Sequence, residues 1–176
     1  MAGVQRAVVV VSGAPATGKS TVAGALAGGL DLPLLSLDDV KEALGDVLGL
    51  GDEQWSDRVG DAAAEVVFRL ARSFPAAVAE GWWRRERRVR AIEEFAGCVE
   101  VFCRCDPTLA LTRAQARVGV SRHPIHRDVI NPGLLDQLPQ IVRDVTPLDL
   151  GGPLIEVVTD EPFDPDDLIG RVRERL

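Results

Sequence analysis

Gly13-Ala-Pro-Ala-Thr-Gly-Lys19-Ser20 satisfies G-x-x-x-x-G-K-[ST], a spacing whose residue types are those needed to hold a chain of phosphates. Glycines let backbone N–H groups converge on phosphate oxygens, and a helix opening just after the loop adds positive potential. In that chemistry Lys19 bridges the β- and γ-phosphates of ATP and Ser20 ligates Mg2+. Gly13, Ala14, Pro15, Ala16, Thr17 and Gly18, with Thr21 behind them, form the cradle. Such loops serve kinases, motors and switches alike, so the acceptor side has to discriminate.

Asp38 and Asp39 fall where a second strand should end and its helix begin, the edge of an open α/β sheet that holds ligands. A carboxylate there faces the γ-phosphate, and we assign Asp38 to the reacting hydroxyl and Asp39 to capping or orienting the helix. A carboxylate near pKa 3.9 and a hydroxyl near 15.7 differ by about 12 units, so forming alkoxide beforehand would cost roughly 16 kcal/mol. Asp38 must therefore orient the hydroxyl and take its proton late. Glu80 ends the third strand and suits a water-mediated metal or acceptor contact, and Trp82 and Trp83 after it offer a wall for a ring-bearing acceptor. Arg113 and Arg117 lie four apart on one helix, and Arg122 follows in a Gly, Pro and His-containing stretch able to act as a lid. Arg117 and Arg122 could then stabilise the transferring phosphoryl, with Arg113 on the nucleotide side. His123 and His126 have metal-like spacing, but Pro124 breaks a helical i, i+3 arrangement and a third ligand is lacking. Arg84, Arg85, Arg87, Arg88 and Arg90 read first as a solvated helix face and second as a patch for an anionic substrate.

The elements that must position these groups follow from hydrophobic periodicity. The run Ala7 to Val11 reads as a strand buried on both faces, followed by a helix over Gly18 to Leu30. Short strands are expected at Pro33 to Leu37, Ala76 to Glu80, Cys98 to Cys105 and Leu154 to Val158. Helices are expected at Asp38 to Leu48, along the stripe Val59, Ala63, Val66, Val67 and Leu70, at Arg84 to Phe95, to about Arg117, at Leu134 to Asp144 and at Pro165 to Leu176. Strands alternating with helices over 176 residues predict one α/β domain, 1–176, built on a parallel sheet with a lid region at about 118–133. The longest aliphatic run is five residues, against roughly twenty for a membrane span. The net charge of −7 argues against a nucleic-acid partner, and three cysteines without paired spacing fit reduced thiols in a cytoplasmic protein.

Three segments resemble the small-molecule kinases of the P-loop superfamily, in the branch holding chloramphenicol phosphotransferase, zeta-toxin-like kinases, gluconate kinase and polynucleotide kinase domains. Gly13 to Ser20 is similar to that family's phosphate loop, and Leu37-Asp-Asp-Val40 to its acceptor-side segment, with Asp38 on the aspartate. Arg117 to Asp128 resembles its lid. The resemblance implies a five-stranded parallel sheet of order 2-3-1-4-5, ATP with magnesium, and phosphorylation of a hydroxyl. It also implies adenine between the lid arginines and the loop at Thr159 to Pro162. Shikimate kinases carry a glycine run where this chain has Gly81-Trp82-Trp83, which speaks against shikimate. The chain thus reads as an ATP-dependent phosphotransferase acting on a small hydroxyl compound, such as a natural product or antibiotic. A polynucleotide 5′-hydroxyl kinase using the arginine cluster, and a nucleotide-dependent switch without an acceptor, stay open as alternatives.

Overall fold

The computed structural model describes residues 7–84, 86–118, 120, 123–126 and 132–176. Its strands are β1 (Ala7–Gly13), β2 (Leu34–Ser36), β3 (Ala76–Glu80), β4 (Val99–Arg104) and β5 (Leu154–Val158). All pair in parallel, in the order β2-β3-β1-β4-β5, as the resemblance implies. The helices are α1 (Lys19–Leu30), α2 (Leu37–Leu48), α3 (Glu53–Ser73), α4 (Glu86–Glu94), α5 (Pro107–Arg117), α6 (Pro132–Asp144) and α7 (Pro165–Arg173), with a 3-10 turn at Pro124–His126.

Central β1 shows why its sequence is aliphatic throughout. Val8 and Val10 pack into a core shared with α3 and α4, through Val67, Phe68, Ala91 and Phe95. Val9 and Val11 point the other way, into a core with Val22 and Leu26 of α1 and Leu168 and Val172 of α7. Residues alternate sides along a strand, so a strand covered on both faces has no position for a polar side chain until it reaches an edge. Ser12 is such a position, and its hydroxyl donates to the buried carboxylate Glu100 of β4.

The α3 stripe differs from the sequence expectation. Val59, Ala63, Ala64, Val67, Phe68 and Ala71 are buried, whereas Val66 and Leu70 sit on the solvent side at 37% and 38% exposure. Over 21 residues the buried line slips round the helix, and small residues let α3 lie close to the sheet. At the start of α2 the N-cap is Ser36, whose Oγ accepts from the Asp39 backbone N–H at 3.2 Å. Capping is thus done by a serine, and Asp39, exposed in the first turn, is not the cap. Asp106 caps α5 as expected, accepting from Thr108 and Leu109 N–H.

Candidate active site

The phosphate loop leaves the carboxyl end of β1 by way of Gly13, whose φ of +140° and whose neighbours admit no side chain. A Cβ there would lie 2.6 Å from the Cys103 carbonyl oxygen. Gly18 opens α1 in the left-handed region, φ +79°. Inside the loop Thr17 Oγ1 and Lys19 Nζ both donate to Ala14 O, at 2.8 and 2.7 Å. Behind the loop, Thr159 Oγ1 lies 2.9 Å from Thr17 O and 3.0 Å from Arg104 O, which ties the segment after β5 to the cradle. Arg113 holds the same segment, its Nη2 donating to Thr159 O at 2.7 Å. It thus stands on the loop where the resemblance implies adenine.

One cleft at the carboxyl edge is lined by Lys19, Ser20, Asp38, Lys41, Glu80 and Trp82. β2 and β3 end side by side, Ser36 opposite Glu80, so Asp38 in the next turn and Glu80 share this edge. Glu80 is only 3% exposed. Burial raises its carboxyl above the ordinary range; nearby Lys19 opposes the rise and nearby Asp38 adds to it. Ser20 Oγ donates to Glu80 Oε1 over 3.4 Å. A hydroxyl and a buried carboxylate beside the lysine are hard oxygen donors of the kind Mg2+ takes, so the residues fit that ion. Cys103 lies beneath, its thiol pushed up to about 12 by burial, and stays protonated.

The two tryptophans part company here. Trp82 lines the cleft, with the Arg84 guanidinium 5.0 Å from its ring centroid. Trp83 does not reach the cleft as a wall for an acceptor: it is 4% exposed, stacked on Phe68 and edge-on to Phe95 in the core. Gly81 makes this possible, since a Cβ there would lie 3.1 Å from both Leu37 and Trp83.

Of the arginine cluster, Arg90 is solvent-exposed as expected, whereas Arg84, Arg87 and Arg88 are not a solvated face. Arg84 pairs with Asp57, and Arg87 with Asp61 at 2.8 Å and Asp57 at 3.8 Å, both arginines lining the cleft. Gly60 leaves the room, since a Cβ there would come within 2.9 Å of Arg87 Nη1. Arg88 donates to the Thr146 and Pro147 carbonyls; Arg85 lies outside the described residues. Sequence reasoning missed Lys41 and Ser56 altogether. Lys41 Nζ donates to Ser56 Oγ at 3.0 Å, and Ser56 Oγ donates to Ile125 O at 2.7 Å. The available signals were their positions: Lys41 is three residues beyond Asp38, and Ser56 is a polar residue on the buried line of Val59, Gly60 and Ala63.

Of the two arginines expected at the transferring phosphoryl, Arg117 ends α5 and lines the cleft, while Arg122 lies outside the described residues. The histidines go to α2 carboxylates, His123 Nε2 3.1 Å from Asp46 and His126 Nε2 2.8 Å from Glu42. Between them Ile125 is buried against Gly45, where a Cβ would meet it at 2.9 Å.

A family model described as an AAA domain matches residues 8–133, the span from β1 to the first residues of α6. A solved structure of a "putative kinase" from Chloroflexus aurantiacus j-10-fl is 35% identical, with a TM-score of 0.85 over 97% of this chain and 98% of its own. The chain belongs to the P-loop small-molecule kinase family. The kinase also shares its fold with a gluconokinase from Sinorhizobium meliloti 1021, at 16% identity and TM-score 0.60 over 96% of this chain and 91% of that one. A shikimate kinase from Bacteroides thetaiotaomicron superposes less closely, at 16% identity and TM-score 0.53 over 96% of each chain. Curated proteins give no match. Among the described residues, no helix is long and apolar enough to cross a membrane.

Proposed function

We propose that this kinase transfers the γ-phosphoryl group of ATP to a hydroxyl of a small molecule, a natural product or antibiotic being the class in view. The observation that carries it is the placement of Asp38 in the same cleft as Lys19, Ser20 and Glu80, one side for phosphates and the other open to an acceptor. The loop amides and Lys19 hold the phosphate chain, with Lys19 released from Ala14 O to meet it. Ser20, with Glu80 through water, would hold Mg2+, which supplies charge neutralisation between phosphate oxygens. Asp38 accepts the hydroxyl's hydrogen bond, aims the oxygen, and takes the proton as the bond to ADP weakens. Trp82 offers the acceptor a ring face, and Arg117 brings a guanidinium to the transferring group; Arg122 is assigned the same task. Arg113 keeps the adenine-side loop at Thr159 in place. We read residues 1–176 as one domain with the lid at about 118–133, in a cytoplasmic setting that suits its unbridged thiols.

The test is transfer of labelled γ-phosphate from ATP into a panel of hydroxyl metabolites, antibiotics and 5′-hydroxyl oligonucleotides, wild type beside Asp38→Asn. A labelled small product lost by at least about 10²-fold in the variant, with ATP binding kept, supports the assignment. Near-normal transfer by Asp38→Asn removes Asp38 from the acceptor role. Label on the oligonucleotide alone would restore the polynucleotide reading, and tight ATP binding with no product would favour a switch.

A further inference from the structure

We propose that Ile125, seated in the gap that Gly45 leaves on α2, and Ser56 beside it are positioning residues for phosphoryl transfer: together they hold the inner face of α2, and with it Asp38 and Lys41, at the cleft. The proposal rests on the kinase reading above, because it assigns the parts that keep the acceptor-side carboxylate in place. The buried residues of α2 are Leu37, Lys41 and Gly45, spaced i, i+4 and i+8 along one line. Of these, Leu37 alone belongs to a hydrophobic core, with Val40 resting on the same core beside it. The helix ends in Val47 and Leu48, both exposed.

The other two positions on the line are met from outside the helix. Lys41 Nζ donates to Ser56 Oγ of neighbouring α3, and Ser56 Oγ donates to Ile125 O. A hydroxyl has one proton, so with that proton on Ile125 O the Ser56 oxygen accepts from Lys41, and the direction of the chain is fixed. Gly45 is met by the buried Ile125 side chain, whose Cδ1 would lie 2.9 Å from a Cβ at position 45, and its Cγ1 and Cβ 3.2 Å from it. Ile125 N–H donates to His123 Nδ1 at 3.1 Å, so its side chain, carbonyl and amide are all held. Glu42 and Asp46, on either side of the gap, hold the flanking His126 and His123.

Gly45 has none of the positive φ that Gly13 and Gly18 need, and alanine is the better helix former; what glycine supplies here is room. With the seat lost, α2 is pinned mainly at its start by Ser36 and Leu37. A swing of the rest turns Lys41 and Asp38 from their places, and a misplacement of about 1 Å can cost a reaction 10²-fold.

The deciding variant is Gly45→Ala, which removes no functional group and favours the helix. One readout, NMR titration of the Lys41 amine in the full chain, needs no acceptor. Burial holds this amine down at about 8; Asp38 and Asp57 oppose, Arg87 and Arg84 add to the effect, and Glu53 and His126 also face the cleft. Displacing Ile125 lets water reach Lys41, so Gly45→Ala should tighten its hold on the proton about tenfold and move the midpoint up. Ser56→Ala keeps the seat but removes an acceptor for the charged form, so its midpoint should fall instead. The second readout is phosphate transfer to whichever panel compound the wild type labels. There Gly45→Ala should lose at least about tenfold in kcat, while its ATP dissociation constant by calorimetry stays within about twofold. Ile125→Val takes away Cδ1, the nearest atom, so the Gly45→Ala/Ile125→Val double variant should regain part of that loss. A Lys41 midpoint unmoved by Gly45→Ala, equal losses of transfer and ATP affinity, or strictly additive losses in the double variant would each overturn the proposal. If the wild type labels nothing, the kinase reading fails, and the two opposed midpoints still decide whether the seat holds Lys41.

Discussion

Trp83→Ala removes an indole stacked on Phe68 at 5.5 Å between centroids and set edge-on to Phe95 at 5.8 Å. Truncating a buried tryptophan costs about 3–5 kcal/mol, a share of which is the two ring contacts at about 0.5–1.5 kcal/mol each. Folded domains are stable by roughly 5–15 kcal/mol, so the variant loses a large part of its margin. At about 2–4 °C per kcal/mol for a chain of this size, the melting temperature should fall by roughly 6–20 °C. Trp83→Phe should fall well short of that. It keeps a ring in place and removes Nε1–H, which is buried without a hydrogen-bond partner among the described residues, a defect worth about 1–3 kcal/mol. Trp82→Ala gives up the contact with Arg84, about 0.5–1 kcal/mol, and should leave the melting temperature nearly unchanged while raising the acceptor KM. Urea and thermal unfolding followed by far-ultraviolet circular dichroism, beside initial rates, separate the two residues. A Trp83→Ala enzyme with the wild-type midpoint and a raised acceptor KM would refute this division.

Other perturbations test the phosphate side and the buried charges. Lys19→Ala should abolish turnover and weaken ATP, measured by calorimetric titration, whereas Asp38→Asn should spare ATP binding. Glu80 holds its proton more tightly folded than unfolded, so its carboxyl costs stability as pH rises above its ordinary value of 4.5. Glu80→Gln should therefore be more stable than wild type at pH 7, with the difference vanishing below about pH 4.5, while needing more magnesium for half-maximal rate. Lys41 has the opposite sign: between about 8 and 10.5 the unfolded chain binds more protons than the folded one, so stability rises with pH across that window. The stability gained by Lys41→Met at pH 7 should shrink as pH goes from 8 to 10.5 in denaturant melts, and a constant difference would show that the amine is not desolvated.

Features written in local runs were legible from residue types alone. The aliphatic β1, the glycine loop after it and the Asp106-Pro107 cap each depend on neighbours in sequence, and each stands where expected. Strand order could not be read that way, because β3 separates β2 from β1 through pairings more than forty residues apart; the resemblance supplied it. Helix faces were the weak point. Lys41, Ser56, Asp57 and Arg87 are polar residues on amphipathic helices, and a periodicity argument sends polar residues to solvent. They are buried or half-buried because α2, α3 and α4 turn them toward one another round a cleft, a property of packing. Trp83 fails for the same reason: adjacent to Trp82 in sequence, it points the other way across the end of the sheet.

Glu100 joins segments that are far apart in the chain. Its carboxylate accepts from the Ser12 hydroxyl on β1 and from the backbone N–H groups of Leu148 at 2.8 Å and Asp149 at 3.3 Å. Two of its donors are main chain, available whatever residue stands there, and one is a side chain. Sequence drift in this lineage should therefore treat the three places unequally. Position 148 can vary among apolar residues, whereas positions 12 and 100 are bound to change as a pair: losing the acid strands the hydroxyl beside the strand that launches the phosphate loop. Descendants that exchange the pair for two apolar residues should keep the phosphate loop but hold the approach to β5 by packing alone.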